Sequence, residues 1–163
     1  MKVLHFLWAL ENGGAENLAV DLANEQSRAH AVVLLVANDI VDPLVRARVA
    51  PAVRLICLGR PAGSRNPYWM ARLLLALQQL RPDVVHAHSD KLASLGAFIT
   101  APLVLTVHDT HIALNDAVKR FAMVCCISGA VLRDVSQRYP SLKVRQVNNG
   151  VPIPDIANGR RQT

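Results

Sequence analysis

Short apolar bursts recur along the chain at residues 3–8, 31–36, 53–58, 84–87, 102–107, 123–127 and 144–147. Several are rich in β-branched residues and apolar without alternation, the pattern of strands covered on both faces. Between them run helix-like stretches at residues 15–28, 67–80, 91–99, 111–121 and 129–139. Within the second, Trp69, Leu73, Leu77 and Leu80 recur at helical spacing and mark one buried face. Strand alternating with helix predicts an α/β fold, a Rossmann-like doubly wound parallel sheet of about six or seven strands with helices on both faces. The first strand should be central, flanked by 31–36 on one side and 84–87 on the other, as in strand order 3-2-1-4-5-6. Asn149-Gly150-Val151-Pro152 reads as a turn leaving the last strand. One domain over residues 1–152 is expected, with 153–163 a tail or the start of an interdomain linker.

Composition narrows this picture. The 163 residues suit one domain, and 52% hydrophobic against 18% charged excludes a disordered chain. With only 4% aromatics, aliphatic side chains must fill the core. A net charge of +6 favours anionic partners such as phosphorylated ligands or lipid headgroups. Basic and aromatic residues are not interleaved as in a nucleic-acid platform, so no nucleic acid is expected. Arg60, Arg65, Arg72 and Arg81, with Tyr68 and Trp69, could form a membrane-touching surface or simply decorate a core helix. Cys57, Cys125 and Cys126 make no C-x-x-C pair and no disulfide framework, which points to a reducing cytosol. No apolar run has transmembrane length, and the start lacks a signal-peptide pattern. The expected location is cytoplasmic, with a peripheral contact at the inner face of the membrane.

In a doubly wound sheet, ligands bind beyond the carboxyl ends of the strands. The loops there carry Glu11-Asn12-Gly13-Gly14-Ala15-Glu16, His86-Ala87-His88-Ser89-Asp90, His108-Asp109-Thr110-His111 and Ser128-Gly129. Gly13-Gly14 either lets an anion approach amides at a helix start or makes a tight turn with Asn12 as cap. It matches neither the dinucleotide fingerprint nor a P-loop. His86 and His88 should point to the same side of their strand. Only Asp90 lies near them at ligand spacing, so no metal is expected, and Ser89 reads as a helix cap. His108 lines a cleft or bonds a neighbouring loop. Asp109, Thr110 and Ser128 read most simply as caps, and the adjacent cysteines as inert core residues.

Taken in order, these segments resemble the amino-terminal half of a GT-B glycosyltransferase of family 4. The resemblance rests on Gly13-Gly14-Ala15-Glu16, residues 81–89, Thr106-Val107-His108, residues 127–131 and Asn149-Gly150-Val151-Pro152. It implies retaining transfer of a sugar from a nucleotide-sugar donor to an acceptor hydroxyl on a glycan, lipid-linked or lipopolysaccharide-type molecule. It further implies that His108 is the catalytic-site residue beside the transferred sugar. Gly13, Gly14, His88, Ser89, Asp109 and Ser128 are the implied substrate-binding residues. No cofactor or metal is implied, because the nucleotide-sugar is a co-substrate. The family's E-x7-E pair is missing, since Glu11, Glu16 and Glu25 are the only glutamates. The chain is therefore expected to be the acceptor-side domain, inactive alone and partnered by a nucleotide-binding half. Two alternatives are a non-catalytic Rossmann-like binding module and a stand-alone Rossmann enzyme using a nicotinamide or adenosyl cofactor.

Overall fold

The computed structural model describes residues 1–150. It contains a seven-stranded, wholly parallel sheet. The strands are β1 (Lys2–Leu7), β2 (Ala31–Asn38), β3 (Val53–Arg60), β4 (Val84–Ala87), β5 (Leu103–Val107), β6 (Met123–Cys126) and β7 (Val144–Gln146). Their order is β3-β2-β1-β4-β5-β6-β7, with β1 between β2 and β4 as the pattern requires. The helices are α1 (Gly14–Gln26), α2 (Pro43–Ala47), α3 (Tyr68–Leu80) and α4 (Gly129–Arg138).

Side chains alternate across β1 and so feed two cores. Val3 and Leu7 pack with Ala19, Val20 and Ala23 of α1 and Val45 of α2. Leu4 and Phe6 join a larger cluster with Leu73, Leu77 and Leu80 of α3 and Val131 and Val135 of α4. Trp69, grouped with those α3 leucines in the sequence, is only half-buried. The chain therefore winds one way from β1 and the other way from β4, placing a topological switch point between them.

Two helix expectations need correction, one element was missed, and one of the two readings of the arginines is not met. Residues 91–99 and 111–121 do not form α-helices; the chain instead makes 3-10 turns over Asp90–Phe98 and Asp116–Arg120. His111 has φ 61°, a left-handed conformation that interrupts any right-handed helix at that point. The short helix α2, with Asp42 as its cap and Pro43 at its start, went unread in the sequence. The four arginines do not form one surface. Arg60 turns inward to Trp8 and Asn38, whereas Arg81 caps the far end of α3. The turn at Val151-Pro152, the domain limit at 152 and the tail at 153–163 lie outside the described residues.

Candidate functional site

The carboxyl ends of β1, β4 and β5 bring the candidate residues together. Helix α1 starts there with Gly13 as its N-cap, and no side chain accepts from its first amides. Asn12 is not the cap that the turn suggested; it accepts from the Asn17 side chain at 3.1 Å. Neither Gly13 nor Gly14 has positive φ, so their role here is access rather than conformational freedom. A Cβ on Gly14 would meet nothing within 4 Å, whereas one on Gly13 would strike the flexible Glu16 carboxylate. The helix start is thus open beside Gly14, where its amides and dipole favour an anion. The Glu16 carboxylate already lies against Gly13 and would have to swing away to admit one there.

Across the switch point, Ser89 caps the turns over Asp90–Phe98 by accepting from the Lys91 amide at 3.3 Å. A cavity of about 240 Å³ lies between these ends, lined by Ala15, His88, Ser89, Thr106, His108 and Ile112 among others. His88 and Thr106 also line a second cavity of about 320 Å³, between α1 and residues 147–150, with His86 and Cys125. Ser128 caps α4 by accepting from Val131 at 3.3 Å, and it lines neither cavity. Asp109 is exposed and accepts from the adjacent Thr110 amide at 2.7 Å; the next 3-10 segment is capped by Asn115 instead.

His86 and His88 do share one side of β4, and their rings overlap with centroids 4.5 Å apart. His5, opposite His86 in the register of β1, completes the cluster. Its Nδ1 lies 3.1 Å from His88 Nε2, and its Nε2 lies 2.9 Å from Gln26 Oε1. His88 Nδ1 lies 3.3 Å from His108 Nε2, while His86 hydrogen-bonds Thr106 Oγ1 at 2.7 Å. Burial disfavours protonation throughout. It lowers His86 to about 3, with help from His5 and His108. His88 falls well below the usual imidazole range for the same reason, and His5 and His108 are lowered too. The cluster is therefore neutral at neutral pH. Ring nitrogens of His5, His86 and His88 lie within 4.8 Å of one another, which makes them the candidate metal group among the described residues. That group contains no carboxylate, and both nitrogens of His5 and of His88 already have hydrogen-bond partners.

Sequence reasoning missed His5 and Gln26. A signal existed for His5, since one polar residue inside an apolar strand must find a partner if buried. It also missed a cationic clamp on Trp8, where the Arg60 guanidinium and the Lys91 ammonium each lie 4.8 Å from the ring centroid. Cys126 is buried, whereas Cys125 is half-buried and lines the larger cavity; burial raises both thiols above the ordinary range. Among the described residues no helix is long and apolar enough to cross a membrane.

The family model described as Glycosyltransferase Family 4 matches residues 12–153. No curated protein matches the chain. Among solved structures, the chain is similar to Anabaena HepE in complex with UDP and glucose, at 20% identity and TM-score 0.69, over 93% of this chain and 45% of that one. HepE in complex with UDP-glucose gives 21% identity and TM-score 0.68, over 93% and 44% of the two chains. A glycosyltransferase from Rickettsia africae ESF-5 gives 16% identity and TM-score 0.67, over 92% and 43%. The chain thus spans less than half the length of each of these structures, and at these identities the likeness shows the fold, the Rossmann-like fold of GT-B glycosyltransferases. With the family match covering most of its residues, the chain belongs to Glycosyltransferase Family 4.

Proposed function

We propose that the chain forms the acceptor-side part of a retaining glycosyltransferase that transfers a sugar from a nucleotide-sugar donor to an acceptor hydroxyl. A glycan, lipid-linked or lipopolysaccharide-type acceptor is the class in view. The carrying observation is the meeting of an uncapped helix start with His88, Ser89 and His108 at the switch point. The Gly13-Gly14 amides would stabilise charge developing on the leaving nucleoside diphosphate, and His108 would hold the transferred sugar. The UDP-glucose bound by HepE supports a nucleotide-sugar as the donor class. No side chain here is assigned as general base; in the mechanism proposed for retaining members, the leaving phosphate assists the acceptor.

Most nucleotide contacts would come from a second half that supplies the acidic pair this chain lacks. The enzyme would then need no metal, and the 163-residue chain would be inactive alone. A cytoplasmic enzyme touching the membrane through Tyr68, Trp69 and Arg72 fits this reading, since Arg72 lies over the Trp69 ring and Tyr68 is exposed. The test is a transfer assay on the isolated chain with UDP-glucose and a panel of glycan acceptors. Background turnover is expected, and robust transfer would refute the half-site reading.

A further inference from the structure

We infer that Gln26 and His5 are positioning residues that, through His88, fix which ring nitrogen of His108 carries the proton. A neutral imidazole has one N–H and one lone pair, so a hydrogen bond between two such rings must match a donor to an acceptor. Three consecutive bonds link Gln26 to His108, at 2.9 Å to His5, 3.1 Å from His5 to His88 and 3.3 Å from His88 to His108. The geometry fits edge-on contact. The His5–His88 and His88–His108 rings are tilted by only 26° and 29°, with centroids 5.4 and 5.5 Å apart. His86 stands outside this chain, since it overlaps the His88 face and bonds Thr106.

The Gln26 carbonyl accepts from His5, so His5 carries its proton on Nε2 and offers Nδ1 to His88. His88 must then donate from Nε2 and accept at Nδ1 from His108 Nε2–H. One amide thereby aligns three rings, all as Nε2–H tautomers. Any single misaligned ring would face two donors or two lone pairs inside the protein, because His5 is 0% exposed and His88 9%.

The consequence lies at the cleft. His108 spends its only N–H inward, and its Nδ1 has no hydrogen-bond partner among the described residues. It therefore meets a ligand as an acceptor, which selects a hydroxyl donor and disfavours a phosphate or carboxylate oxygen at that position. Identifying that hydroxyl with a sugar rests on the proposed function; the coupling of tautomers does not.

The experiment is two-bond ¹⁵N–¹H correlation NMR on the 163-residue chain labelled with ¹⁵N-histidine near neutral pH. His5, His88 and His108 should each show a protonated Nε2 and a bare Nδ1. Gln26→Glu, which keeps the acceptor, should preserve that signature, and Gln26→Met should turn His108 into a mixture of tautomers. Different tautomers among the three wild-type rings would overturn the inference without recourse to a variant. So would an unchanged His108 in a folded Gln26→Met chain, or tight binding of added Zn²⁺ by His5 and His88. If UDP-glucose leaves the His108 signals unmoved while the shared tautomer stands, the failure belongs to the sugar-transfer reading alone.

Discussion

His5 illustrates how a polar side chain survives in a core: it is 0% exposed, yet both ring nitrogens are bonded and its charge is suppressed. That suppression links the cluster to stability. Unfolded imidazoles titrate near 6.5, whereas His86 is held at about 3 and His5, His88 and His108 are also lowered. Below 6.5 the unfolded chain takes up protons that the folded chain refuses, so stability present above that value is lost as pH falls towards the folded values. Thermal melts should show a falling Tm between about pH 7 and pH 5, and a flat profile there would mean the imidazoles are not buried neutral. His108→Ala addresses the chemistry instead. In an active enzyme containing this chain, it should cost about 2–4 kcal/mol of transition-state stabilisation, roughly 30- to 1000-fold in rate. The melting temperature should fall moderately as well, because the truncation leaves the buried His88 Nδ1 without its donor. Initial rates and melts separate these effects, and near wild-type activity would remove His108 from the site.

Helix α3 shows what element-scale packing contributes. Leu77, 3% exposed in the larger core, should cost about 2–5 kcal/mol on replacement by alanine, read by denaturant unfolding. The same helix ends at Arg81 with φ 45°, a left-handed conformation that L-residues adopt only at a cost. Arg81→Gly should therefore stabilise the chain by up to about 1 kcal/mol, and a loss of stability would show that the arginine side chain matters more than its backbone. All seven strands fall on apolar bursts of the sequence, β4 to the residue; doubly covered β2 is a nearly unbroken apolar run, whereas β3 and β7 carry exposed arginines. Helix α3 was legible from its periodicity, and α1 and α4 as helix-like stretches between the apolar bursts, all in positions close to those found. The 3-10 segments were not. Gly96 packs so closely that an added Cβ would lie 3.3 Å from Leu103, a tertiary fit with no local signature.

At the scale of the whole molecule, the switch point between β1 and β4 decides where chemistry can occur. Helix α1 leaves β1 on one side of the sheet, while the turns after β4 leave on the other, opening a crevice between them. This placement was legible, since Gly13, His88, Ser89 and His108 were assigned to strand ends from order alone. The hydrogen-bonded chain from His108 to Gln26 was not, because it joins residues 82 positions apart through side chains rather than along a strand.

The claim that this crevice is half of a sugar-transfer site is tested most directly by amide chemical-shift mapping of the chain with UDP-glucose. Shifts confined to Gly14, Ala15, His88, Ser89 and His108 are expected, with a Kd of roughly 1 mM, about −4 kcal/mol, as suits a site missing most of its nucleotide contacts. Shifts centred away from the crevice, on α3 for example, or much tighter binding of NAD or S-adenosylmethionine than of UDP-glucose, would contradict it.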